Sequence, residues 1–418
     1  MHSSPWLRPS RLSRRVWASL LVVLLVTAAL IGSLRIHRDI NLKPGPNGYN
    51  IGAWEIRHAP QKWLFLFGEF LRGAPPLESQ DAHLRRFFDL TRQIDTRESQ
   101  VSDLERRGEP VSVEARESLE AQIDERERIE NQVEATLEAR ISEIAADLGL
   151  TRSFLDVVWP PIDFEFTDAP HTLVTSRRDR IELVDSDLLR TGLSVAELEA
   201  IEAETQAEDG VSALAFPVSG VGAYPAIVDY PSTYRAALLI AAHEWTHHYF
   251  FFRPLGLRYN SSNELRAINE TVADLVGTEL ANAVQARWPL PDPPAGSPPA
   301  STGNLPAVDV GEELRTLRTA AEALLAAGQI EAAETLMEAK RRELVDAGYA
   351  FRKLNQAYFA FINLYAGESG NPAAVNPIGP KIDQLRLQAG SLSEFVDLVG
   401  GVTSVEDLDR LVRESAEP

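Results

Sequence analysis

Five residues inside the apolar run Tyr234 to Phe252, His243-Glu244-Trp245-Thr246-His247, constrain this chain more than any other feature. Two histidines four residues apart share one face of a helix and stand one turn from each other. Both imidazoles can then reach a single zinc ion, and the glutamate beside the first can act on water held there. The surrounding run is apolar and helix-compatible, which is the setting the motif needs.

Zinc in a hydrolase takes three protein ligands and keeps one open position. His243 and His247 supply two, so the third must be a His, Glu or Asp brought close by the fold. Pro254 and Gly256 stop the motif helix, and Ser261-Ser262-Asn263 offers caps for a second helix running to about Arg287. That helix contains Asn269-Glu270-Thr271-Val272-Ala273-Asp274, with Glu270 and Asp274 on one face. If the two helices pack antiparallel, Glu270 reaches the metal. Asp274 then accepts the second N–H of a ligating histidine, which fixes its tautomer. His248 points away from the metal, because consecutive helix positions diverge by about 100°.

His-Glu-x-x-His followed by Asn-Glu-x-x-x-Asp resembles the gluzincin metallopeptidases, the thermolysin-like group. The likeness covers Tyr224 to about Gly277. It implies Glu270 as third zinc ligand, Asp274 as support for His243, and one zinc ion as cofactor. It further implies peptide hydrolysis, with Glu244 as general base passing the proton to the leaving amine. Similar enzymes bind substrate backbone along an edge strand, which points here to the strand around Ala223 to Val228. They also use a downstream Tyr or His as oxyanion donor. No histidine follows the Pro-rich stretch after Trp288, so Tyr349, Tyr358 and Tyr365 are the candidates. The Gly-Ala-Met-Glu-Asn signature of gluzincin aminopeptidases is replaced by Gly222-Ala223-Tyr224-Pro225-Ala226, which leaves endo- versus exopeptidase action open. The metzincin pattern is absent, since no third histidine follows in Phe252 to Leu257. A non-catalytic gluzincin-like binding or scaffold protein, docking a partner through a helical hairpin, is the alternative, but it would have no need of Glu244.

The formal net charge of −20 argues against nucleic acid as a partner. The chain has no cysteine, which excludes disulfides, thiol nucleophiles and Cys-ligated zinc. Val16 to Leu34 is apolar and uncharged, and its length of about 28 Å as a helix suits a bilayer core. Arg8, Arg11, Arg14 and Arg15 precede it without an acid, which favours a cytoplasmic N-terminus. A cleaved signal peptide is the rival, but the stretch is long and no Ala-x-Ala site follows. The expectation is a single-pass cell-membrane protein with its catalytic domain outside the cytoplasm. Trp54 to Leu71 forms a further apolar-aromatic patch, suited to packing on the folded domain or lying along the membrane.

Ser79 to Leu148 is rich in Arg and Glu, with an apolar stripe at Ile129, Val133, Leu137, Ile141, Ile144 and Leu148. Gly108-Glu109-Pro110 makes the turn of a hairpin of two long helices, a possible partner-docking surface. Short strands are predicted at Pro161–Phe166, His171–Val174, Arg180–Val184, Ala213–Val218 and Tyr224–Val228. The chain then divides into a cytoplasmic N-terminus (1–15), an anchor (16–34), a juxtamembrane segment (35–78) and the helical hairpin (79–150). A metallopeptidase core (151–288), a Pro-rich linker or loop (289–309) and a C-terminal helical subdomain (310–418) follow. The fold class is α+β and mostly helical, a zincin-like core of one small mixed sheet and active-site helices.

Overall fold

The computed structural model describes residues 46–58, 76–152, 157–207, 210–290, 309–365 and 376–415. The expected anchor at 16–34, most of the 289–309 stretch and the apolar run around Trp63 lie outside the described residues. Among the described residues, no helix is long and apolar enough to cross a membrane.

A helical segment at 51–58 comes first. Helices α1 (Leu77–Arg106) and α2 (Val113–Asp147) follow and form the expected hairpin. Next come strands β1 (Thr151–Arg152), β2 (Val157–Val158), β3 (Phe164–Phe166), β4 (His171–Arg177) and β5 (Leu183–Leu189). Helix α3 (Val195–Gln206) precedes β6 (Val211–Pro217), β7 (Gly220–Val221) and β8 (Ala226–Val228). The rest is helical: α4 (Tyr234–Phe250), the single turn α5 (Pro254–Leu257), and α6 (Asn263–Arg287). Then come α7 (Val310–Ala326), α8 (Ile330–Asp346), α9 (Gln356–Ile362), α10 (Ile378–Gln388), α11 (Leu392–Gly400) and α12 (Val405–Glu414).

The described strands build three small sheets rather than the single one expected. One is the β1–β2 pair, one is antiparallel in the order β5-β4-β6, and one is mixed in the order β3-β8-β7. The expected substrate-binding strand at Ala223–Val228 is thereby corrected. β8 pairs with β3 on one side and β7 on the other, so both its edges are taken. Its three residues are apolar and buried on both faces, as suits a middle strand. The edge facing the site belongs to β5, whose outer side is bridged at Leu189 by Gly48 and carries no further strand over Leu183–Asp187 among the described residues.

Helix α2 shows why a charged sequence docks here. Its apolar stripe is buried at Val133, Leu137, Ile141 and Ile144. Beside that stripe, Glu134 and Glu138 are also buried. Glu134 accepts the backbone N–H of Phe166 at 2.7 Å, and Glu138 that of Phe164 at 3.1 Å. Two carboxylates one turn apart thus satisfy alternate N–H groups on the open edge of β3, where a further strand would otherwise pair. Toward the hairpin tip, residues 97–125 include no buried residue, so only the base of the hairpin joins the core.

The main core runs from the hairpin base through α4 and α6 to α9–α12. Helices α7 and α8 pack in a second cluster with Leu354 and Phe359. The region expected as a C-terminal subdomain therefore divides between two apolar clusters.

Candidate metal centre

Helix α4 starts where Thr233 accepts the N–H of Ala236 and turns one face into the core through Leu238, Ala241, Ala242 and Trp245. The Trp245 indole N–H is satisfied by Pro160 O at 2.9 Å, which lets the ring be buried. Helix α6 begins at Ser262, which caps Leu265 N. Contacts along the pair run in opposite directions. Arg235 meets Asn282 and Gln285, His243 meets Asp274, and His247 meets Asn269, so the helices are antiparallel. Gly277 faces the backbone of α4, where an added Cβ would lie 3.1 Å from His243 N.

This packing brings all five sequence-predicted residues together. Nε2 of His243 and Nε2 of His247 are 3.1 Å apart. Glu270 Oε2 is 3.3 Å from the first and 3.6 Å from the second. Three donors bonded to zinc at about 2.0–2.1 Å in tetrahedral geometry would stand about 3.3 Å from one another. The nitrogen–nitrogen–oxygen triangle therefore fits that ion without rearrangement.

The outer nitrogens are engaged as well. His243 Nδ1 donates to Asp274 Oδ1 at 2.8 Å, and His247 Nδ1 donates to Asn269 Oδ1 at 2.8 Å. Each contact leaves Nε2 as the nitrogen that faces the centre. Asn269 belongs to the sequence motif but was given no role there; its place just before Glu270 was the available signal. His248 points away as expected and donates from Nε2 to Ala223 O at 2.6 Å, which ties the connection between β7 and β8 to α4.

Glu244 also lies near both histidines and could be counted with them as a metal-holding group. Its geometry differs from that of Glu270. The Glu244 carboxylate lies against Gly220, in the space a Cβ there would occupy. Glu270 Oε2 is the oxygen that closes the triangle with the two Nε2 atoms, so Glu270 is the better third ligand and Glu244 stands beside the centre.

The electrostatics follow from burial among close charges. Burial raises the Glu244 carboxyl above the ordinary range, the two imidazoles oppose this, and Glu270 and Asp274 add to it. Burial disfavours charge on His243, yet Asp274 and Glu270 outweigh it and hold the imidazole well above its usual value. His247 is raised too, with burial opposing and Glu270 prevailing. Burial works against ionised Glu270, but the two histidines hold it well below the usual carboxylate range.

The centre lies in a cleft of about 610 Å³. Strands β5 and β7 and Gly222 line it, with Phe361 and Tyr365 reaching in from the C-terminal region. The Tyr365 ring centroid is 6.4 Å from that of His243, whereas Tyr349 packs on the second cluster, Tyr358 packs between the two clusters, and neither lines the cleft. Tyr259 and Arg266 line it as well and were not anticipated. The available signal was Arg266 one helical turn before Glu270 on the same face.

No protein-family model, curated protein or solved structure matches this chain.

Proposed function

We propose that the chain is a zinc metallopeptidase of gluzincin type, held at a membrane by residues 16–34 with its cleft on the outer side. The triangle of His243 Nε2, His247 Nε2 and Glu270 Oε2, with edges of 3.1, 3.3 and 3.6 Å, carries this reading. Its donors are two imidazoles and a carboxylate, the set zinc hydrolases use, and a cleft gives access to the remaining position. A zinc ion there would supply Lewis acidity to a scissile carbonyl and to water.

The chain's own groups have definite tasks. Glu244 takes the proton of the attacking water and returns it to the leaving amine. Its raised pKa brings it nearer the working pH of a general base. Asp274 and Asn269 fix the imidazoles. Tyr365 is the tyrosine placed to donate to the developing oxyanion, since it alone of the three candidates lines the cleft. The edge of β5 over Leu183–Asp187 offers its backbone to an extended peptide.

The test is zinc content and hydrolysis of a mixed peptide library, with Glu244→Gln alongside. The expected result is one zinc per chain in both proteins and turnover in the wild type alone. Zinc without hydrolysis of any peptide would favour a scaffold, and no zinc would sink the reading.

A further inference from the structure

Glu270 has two carboxylate oxygens, and only Oε2 faces the histidines. The other, Oε1, accepts the phenolic O–H of Tyr259, a short contact within the protein. Tyr259 is held in turn. Arg266 Nε donates to its oxygen at 3.2 Å, and the guanidinium lies 5.2 Å from the ring centroid. Arg266 Nη2 then donates to Ser186 Oγ at 2.9 Å. Ser186 lies on β5, the strand whose edge faces the cleft. The Tyr259 ring also stands edge-on to His247, with centroids 5.9 Å apart. One chain of contacts thus runs from the edge strand through Arg266 and Tyr259 to the ligand carboxylate, and leans on a second ligand on the way.

A carboxylate beside a metal can bind through one oxygen or both. If Oε1 turned inward, the second oxygen would compete for the position that water and substrate need. The Tyr259 hydroxyl opposes that turn by occupying Oε1 from the other side. Arg266 orients the hydroxyl by donating to its oxygen, so the tyrosine proton is left to face Glu270. The planar fork of Arg266 reaches Tyr259 and Ser186 at once from two nitrogens in fixed geometry, where a lysine offers a single flexible point charge.

We infer that Tyr259 and Arg266 are positioning residues that hold Glu270 to single-oxygen ligation and couple this ligand to β5 through Ser186. The inference rests on the zinc reading above and adds to it. Neither residue touches the reacting atoms.

The experiment compares wild type, Tyr259→Phe and Arg266→Lys as full-length protein. Zinc affinity is measured by chelator competition, the visible spectrum after cobalt(II) substitution, and melting without metal. Tyr259→Phe should bind zinc about 10- to 100-fold more weakly. Its cobalt spectrum should shift toward a higher coordination number, with metal-free melting close to that of wild type. Arg266→Lys should shift the spectrum in the same direction by less, which keeps the inference testable if Tyr259→Phe folds poorly. Unchanged affinity and an unchanged spectrum in both variants would overturn the inference while leaving the zinc site standing. A wild type that takes up no zinc would sink the metallopeptidase reading and this inference with it.

Discussion

The carboxylate of Glu244 occupies the space that a side chain on Gly220 would fill. The three atoms nearest to a Cβ there all belong to the Glu244 side chain, so this side chain is the first to give way. Gly220→Ala should therefore keep the fold and the zinc while displacing the base. A shift of about 1 Å in a catalytic group can lower a rate about 100-fold. The expected outcome is a fall in kcat of that order with unchanged zinc content and melting temperature. Wild-type kcat in this variant would show that the Glu244 position is not critical.

Gly277 poses the opposite case. Here the neighbours of an added Cβ are the backbone of α4, at 3.1 Å from His243 N and 3.2 Å from Leu239 O. Backbone cannot swing aside, so Gly277→Ala must push α6 away from α4. Overpacking of this kind costs about 1–3 kcal/mol. The displacement falls between His243 and Asp274, so zinc affinity should drop along with stability. Denaturant unfolding and chelator competition on the same samples test both, and a loss of stability with full zinc affinity would contradict the coupling.

The helices that carry the centre were legible because their signals are local. Thr233 and Ser262 cap the starts of α4 and α6, and Pro254 separates them. His243, His247, Glu270 and Asp274 follow from helical spacing once the two helices are antiparallel. The sheets were less legible. The resemblance implied an edge strand around Ala223 to Val228, but β8 there pairs in parallel with β3, which joins residues far apart in the chain. No local pattern encodes that. Helix α3 was not anticipated, although Ser194 and Glu197 form a capping box at its start. The Tyr259–Arg266 chain was also hidden, because it depends on Ser186 arriving from a strand whose place only the fold defines.

The three candidate tyrosines now give separate expectations. Tyr365 lines the cleft near His243, while Tyr349 packs on the second cluster and Tyr358 on both. Tyr365→Phe should lower kcat about 100- to 1,000-fold, the usual effect of removing an oxyanion donor. KM should move much less, because the bond forms in the transition state. Tyr358→Phe, the control, should leave both constants near wild type. Equal effects from the two changes would remove Tyr365 from the mechanism.

The contact between α2 and β3 makes a prediction about folding. Glu134 is buried and accepts the N–H of Phe166. Glu134→Ala would leave that N–H without this acceptor, at a cost of about 1–3 kcal/mol. Glu134→Gln keeps an acceptor oxygen and should lose less. Urea unfolding of the two variants checks the order. If alanine were no worse than glutamine, the strand edge would not depend on this side chain.

The metal centre itself should respond to pH in opposite ways with and without zinc. In metal-free protein the His243 imidazole is held well above its usual value by Asp274 and Glu270, against burial. A raised histidine contributes its full stabilisation below the unfolded value of about 6.5 and loses it as pH rises through the folded value. Glu270 is depressed by the two histidines, again against burial. Its contribution is present above the ordinary carboxylate value and is lost as pH falls through the depressed one. Metal-free protein should therefore lose stability on the alkaline side of neutrality. Zinc needs neutral imidazoles, so its binding expels protons and strengthens as pH rises. The gap in melting temperature between zinc-loaded and metal-free protein should widen from about pH 6 to about pH 9. Calorimetry in buffers of different ionisation enthalpy should show protons released as zinc binds near neutral pH. A gap that stays constant with pH, or zinc uptake without proton release, would mean that His243 and His247 do not hold the ion.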